Sequence, residues 1–141
     1  MSSQNESLES IKNDIIRCVL CGLSLTRKNA VPGNGNISKK IIVIGEAPGK
    51  NEDETGSPFV GSAGKILDQA LINARIERKE IYITNVVKYR PPSNRVPTDE
   101  EIGICTREYL IKEIDIISQI QFIKIPDINP FRLYCFNYCI L

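Results

Sequence analysis

Residues 39–67, "KKIIVIGEAPGKNEDETGSPFVGSAGKIL", contain the reading that decides the fold. Ile41 to Ile44 form a short, wholly β-branched run, the composition of a strand buried on both faces. Gly45 stops it. From Ser62 the chain reads "SAGKILDQALINARI", with Ile66, Leu67, Ala70, Leu71 and Ala74 on one face of a predicted helix and Ser62 or Gly61 as its cap. Residues 45–64 are therefore a loop at the carboxyl end of a strand. In open α/β sheets that is the edge where ligands bind. A loop rich in glycine and acid can be an ordinary surface turn or one wall of a pocket, and its position favours the pocket.

Working outward, Leu8, Ile11, Ile15 and Cys18 recur at helical spacing, and Pro32, Gly33 and Gly35 mark a turn. "IYITNVV", Ile81 to Val87, reads as a second strand, followed by the basic, proline-rich loop "KYRPPSNRVP". "TDEE", Thr98 to Glu101, has the spacing of a capping box and opens a helix to about Ser118. Ile120 to Ile125 reads as a third strand. Alternating helices and strands predict right-handed crossovers and a single domain over residues 1–141. Its expected fold is a three-layer α/β/α sandwich with a central parallel sheet. Both unusual loops, after Ile44 and after Val87, then fall at the same edge of the sheet.

Composition narrows the function classes. With 18 Lys and Arg against 17 Asp and Glu, the net charge is +1, so nucleic-acid contact requires a local patch rather than a global field. No apolar run reaches the roughly 18–20 residues that cross a bilayer. The N-terminus "MSSQNESLES" lacks the pattern of a signal peptide, and a cytoplasmic location is expected. There are five cysteines, Cys18, Cys21, Cys105, Cys135 and Cys139, and no histidine. In a cytosolic chain such spacing favours metal or redox chemistry over structural disulfides. The loop "GEAPG" matches neither dinucleotide nor P-loop glycine patterns, and Glu52 to Glu54 would repel a phosphate. A nucleotide-binding protein is accordingly the weakest reading.

Three stretches carry a resemblance: "GEAPGKNEDETGSPFVGSAGKIL", "ITNVVKYRPPSNRVPTDEE" and the N-terminal "CVLC". Together they resemble the family 4 uracil-DNA glycosylases, the iron–sulfur branch found in thermophilic bacteria and archaea. The likeness runs over residues 8–118. It implies a DNA-repair hydrolase that acts on uracil-containing DNA in base excision repair. It also implies a sliding-clamp contact.

Such chemistry takes the base out of the duplex into a pocket. As the sugar–base bond breaks, positive charge develops on the sugar and negative charge on the leaving base, so the pocket needs backbone donors, a stacking face, a group that reads uracil's edge, and nearby negative charge. Gly45 and Gly49 let the backbone approach the base, with Ala47 between them. Ala47 stands where family 1 enzymes carry a water-activating aspartate. The resemblance places Glu46 beside the scissile bond, with Glu52 as the second candidate carboxylate. Phe59 is the expected stacking face. Asn85 can donate to O4 and accept from N3–H, a pattern that cytosine reverses. Lys88, Arg90 and Arg95 are candidate phosphate contacts, although a basic cluster alone is more often a solvated face.

The resemblance also implies a [4Fe–4S] cluster. Cys18, Cys21 and Cys105 match three of the family's cysteine positions, but the remaining position is Tyr89. Three thiolates do not complete a four-cysteine set. A phenolate or another oxygen donor at that position, Cys135 or Cys139 substituting in space although neither fits the family spacing, a zinc site, or no metal at all are the alternatives. Beyond residue 118 the likeness fades. The family's last strand and its C-terminal motif, which includes a histidine at the leaving base, have no counterpart in residues 119–141, which read as a truncated or divergent tail. Impaired activity is expected, with a non-catalytic DNA- or uracil-binding remnant as the alternative.

Overall fold

The computed structural model describes residues 2–117 and 134–136. The elements run α1 (Ser2–Arg17), β1 (Asn34–Gly35), β2 (Ile42–Gly45), α2 (Lys50–Thr55), α3 (Ser62–Asn73), β3 (Tyr82–Asn85), α4 (Asp99–Cys105), α5 (Ile111–Ile117) and β4 (Tyr134–Phe136). One π-type turn, Thr106–Leu110, joins α4 to α5.

The sheet follows from the β-branched runs. β2 and β3 pair in parallel, Ile42 with Tyr82 through Gly45 with Asn85. Because side chains alternate across a strand, Ile42 and Ile44 enter one core with Leu8, Tyr82, Leu110 and Ile117. Val43 enters the other with Phe59, Leu67, Leu71 and Ile83. The result is α1 and α5 on one face and α3 on the opposite face, the expected three-layer arrangement.

Among the described residues the sheet is parallel only at this central pair. Its order is β1-β3-β2-β4, and both outer strands run antiparallel to their neighbours. β1 escaped the sequence reading because it is two residues long and looks like a turn. Gly35 is required there, at φ 121°, because a Cβ would strike the Ile81 carbonyl. The expected strand Ile120 to Ile125 lies outside the described residues.

Other differences are local. The loop after β2 contains the short helix α2, closed by Gly56 in the left-handed conformation (φ 74°). In α3, Leu67 and Leu71 are buried, but Ile66 and Ile72 face outward, because the true apolar stripe is narrower than the composition suggests. The capping box at Thr98 is present in both directions. Thr98 Oγ1 accepts from the Glu101 N–H at 3.2 Å, and the Thr98 N–H donates to Glu101 Oε2 at 2.9 Å.

Candidate base-binding site

A cavity of about 520 Å³ opens at the carboxyl ends of β2 and β3. Residues 45–52 form one wall, Phe59 and Gly61 to Ala63 the next, and Asn85 with the segment from Pro91 to Pro97 the third. Gly45, Glu46, Ala47, Gly49, Glu52, Phe59, Asn85 and Arg95, eight of the residues singled out by sequence, thus share one cavity.

The centre of the site is a contact among three of them. A Cβ on Gly45 would fall against Asn85 Oδ1 and within 2.7 and 2.8 Å of the Phe59 ring. The bare glycine therefore lets amide and ring converge over the strand end. Phe59 sits at φ 54°, a conformation that bulky residues avoid. Its carbonyl accepts from Arg78 Nη2 at 2.7 Å, and that of Pro58 accepts from the same nitrogen at 2.9 Å. Gly64 lies directly on the Phe59 carbonyl, leaving no room for a side chain. The Phe59 backbone is thus held, and its ring packs in the core with Val43, Leu67 and Leu71. Arg78 was not foreseen, since it lies about twenty residues away with no motif around it.

Asn85 is 3% exposed, yet its side-chain amide makes no hydrogen bond to the described residues and lines the cavity. A buried amide ordinarily finds partners. Among the described residues neither its donor nor its acceptor has a partner, and the residue lines the cavity.

Glu52 has a different place from the one expected of a reacting carboxylate. Its Oε1 accepts from the N–H groups of Val60 (3.0 Å) and Gly61 (2.8 Å), and its Oε2 from Gly49 (3.1 Å). It ties the two glycine-rich segments into one wall. Asp53 extends the tie, accepting from the N–H groups of Lys28 (2.9 Å) and Asn29 (3.2 Å). Glu46 is half-buried on the cavity wall, with its carboxylate free of hydrogen bonds to the described residues.

The basic residues separate. Arg90 is half-buried, with its Nε on Asn94 Oδ1 at 2.8 Å. Arg95 is exposed at the cavity rim and grips Glu101 with two nitrogens, at 2.7 and 2.9 Å. That grip, opposed in part by burial, holds the Glu101 carboxyl below the usual carboxylate range. Lys88 does not face solvent at all. Its side chain is fully buried and its Nζ lies 2.6 Å from Glu113 Oε2, also fully buried, so the phosphate contact expected of it is corrected to an internal ion pair.

Cys18 and Cys105 share a buried cluster with Ile15, Leu23, Tyr89 and Tyr109, and Cys21 packs against it. Burial pushes the Cys105 thiol up to about 11 and raises Cys21 as well. Tyr89 is fully buried, and its hydroxyl donates to the Ile15 carbonyl at 2.9 Å. Burial first, and Cys18 second, hold its phenol well above the usual range. Its hydroxyl is committed to the Ile15 carbonyl rather than to a thiol. Among the described residues no group of three or more Cys, Asp or Glu side chains is spaced to hold a metal ion. Among the described residues, three thiols and a phenol leave a four-cysteine set one thiolate short. Instead Tyr89 clasps α1 directly, under the guanidinium of Arg27, which lies 4.3 Å from its ring centre.

The chain belongs to the uracil DNA glycosylase superfamily, whose profile matches residues 32–124. Within that superfamily its similarity lies with the type-4 branch. It is 47% identical over 112 residues to the type-4 uracil-DNA glycosylase of Archaeoglobus fulgidus, covering 79% of this chain and 56% of that protein. It is 51% identical over 113 residues to that of Sulfurisphaera tokodaii, covering 79% and 51%. For that of Thermotoga maritima the identity is 44% over 118 residues, covering 84% and 61%. The chain spans between half and two-thirds of the length of these relatives. No helix among the described residues is long and apolar enough to cross a membrane.

Proposed function

We propose that this domain recognises uracil in DNA and carries the base-reading half of a uracil-DNA glycosylase site. The observation that carries the reading is the Asn85 amide, which has no hydrogen-bond partner among the described residues and lines a cavity beside the Phe59 ring. A flipped uracil stacks on Phe59, while Asn85 Nδ2 donates to O4 and Oδ1 accepts from N3–H. Cytosine presents the opposite pattern and leaves both amide atoms facing like groups.

The reaction is hydrolysis of the bond from C1′ of deoxyribose to N1 of uracil. The bonding electron pair leaves with the base, water adds its oxygen to C1′, and the water's proton balances the departing anion. Glu46 is the carboxylate free to stabilise the cationic sugar or orient that water. Glu52 organises the wall rather than reacting. Arg90 and Arg95 are the proposed phosphate contacts. The sequence contains no histidine, so no imidazole of this chain donates to the leaving base. Loss of one such donor lowers the rate by about 10²–10³. Binding is retained better than excision, and cytoplasmic DNA repair is the setting that this chemistry serves.

The test has two arms on one single-stranded oligonucleotide that carries a single uracil. Anisotropy reads binding against the cytosine equivalent, and alkaline cleavage reads excision. Preference for uracil with slow excision, both abolished by N85A, supports the proposal. Equal affinity for the two oligonucleotides overturns it. Preference for uracil with no excision at all selects the non-catalytic module.

A further inference from the structure

We propose that Lys88 and Glu113 form a positioning pair that fixes Asn85 for base recognition, an inference that rests on the reading of Asn85 given above. The Lys88 ammonium has three N–H donors, and each has a partner. It lies 2.6 Å from Glu113 Oε2, 2.7 Å from Thr84 Oγ1 and 2.6 Å from the Asn85 carbonyl. No donor remains for a phosphate. Glu113 is in turn held by Tyr82 Oη at 2.9 Å and by Thr84 Oγ1 at 3.3 Å. All of these side chains are buried. The network runs from α5, through the far face of the sheet, to the peptide that follows the base-reading residue.

The Asn85 carbonyl needs such a partner. β1 reaches β3 only at Tyr82 and Ile83, with Asn34 opposite Ile83 and Gly35 opposite Tyr82. Beyond Ile83 that ladder stops: the next bond from the β1 side runs from the Val31 N–H to the Lys88 carbonyl at 2.8 Å, and Pro32 between them has no N–H to donate. On the other side, β2 receives the N–H of Val86 at Gly45 (2.8 Å) and that of Val87 at Glu46 (3.0 Å). β2 thus fixes the residues after Asn85, and Lys88 fixes the Asn85 carbonyl itself. With that peptide held at both ends, the side chain has one direction in which to leave Cα, over Gly45 and towards Phe59. An apolar residue at position 88 would fill the space and leave the carbonyl free to rotate.

The experiment uses the full chain, labelled with nitrogen-15, as wild type, K88M and K88M/E113L. The double variant removes both charges together, so it folds even where the single variant leaves Glu113 unpaired. The Asn85 side-chain amide signals are assigned by their loss in N85D. Binding is measured on oligonucleotides that carry one uracil or one cytosine. The expected result is that the Asn85 amide signals move or double in the variants. The preference for uracil should fall about tenfold or more, while affinity for the cytosine oligonucleotide stays within about twofold. A phosphate contact would weaken both oligonucleotides alike, and that parallel loss overturns the proposal. Unchanged amide signals with unchanged preference overturn it too. If the wild type itself shows no preference while the variants still move the Asn85 signals, the uracil reading fails and the positioning pair stands.

Discussion

Gly45→Ala puts the smallest side chain at the point where the site converges. The new methyl would lie 2.7–2.8 Å from the Phe59 ring and against Asn85 Oδ1. An ordinary carbon contact is about 3.5–4.0 Å, so the methyl is about 0.7–1.3 Å too close. The ring has little room to retreat, because it packs among Val43, Leu67 and Leu71 on a backbone bound to Arg78. The Asn85 amide must therefore swing away. Overpacking of this kind costs about 1–3 kcal/mol, which lowers the melting temperature by roughly 4–12 °C in a domain of this size. A displaced amide loses its bonds to the base, worth a further ~1–3 kcal/mol, or about 5- to 150-fold in affinity. Differential scanning fluorimetry and anisotropy on the uracil oligonucleotide read the two effects separately. A variant with unchanged melting and unchanged uracil affinity would refute the proposed convergence of Gly45, Phe59 and Asn85.

Three further outcomes are expected. E52A removes an acceptor from three N–H groups and should lower stability by about 2–3 kcal/mol in urea unfolding; E52Q should recover part of this, since an amide oxygen can keep Val60 and Gly61 while its NH₂ faces the Gly49 N–H. Glu101 has a depressed folded-state value, so it contributes stability above its unfolded value of about 4.3 and loses it as pH falls through the folded one; E101Q should flatten the acid limb of a stability–pH curve, and an unchanged limb would contradict the role given to Arg95. Y89F should lose about 1 kcal/mol, because the Cys18 N–H still donates to the Ile15 carbonyl at 3.3 Å, whereas Y89C supplies a fourth thiol beside Cys18 and, after anaerobic reconstitution with iron and sulfide, should retain more bound iron per chain than the wild type.

The strand Ile42–Gly45, the helix after it and the capping box at Thr98 were legible because each is a local pattern with a local cause. The convergence of Gly45, Phe59 and Asn85 was anticipated through the resemblance, and the geometry supplies its physical reason. What sequence could not give was anything settled by distance. Lys88 looks like its neighbour Arg90 in a basic loop, and only the fold brings Glu113 beneath it, twenty-five residues on. Arg78 was missed for the same reason, and β1 because its two residues, Asn34 and Gly35, read as a turn. Glu52 has the composition of a reacting group, but its oxygens are taken by the chain's own N–H groups, which no spacing rule reveals. Tyr89 was flagged as a departure, and its bond to α1 shows what the departure achieves.

The most direct test of the central claim is titration of free uracil into the labelled protein, with nuclear Overhauser contacts measured between the base's H5 and H6 protons and the Phe59 ring. The account predicts these contacts together with movement of the Asn85 side-chain amide signals, both lost in N85A. Saturable uracil binding that leaves Phe59 and Asn85 undisturbed would contradict it.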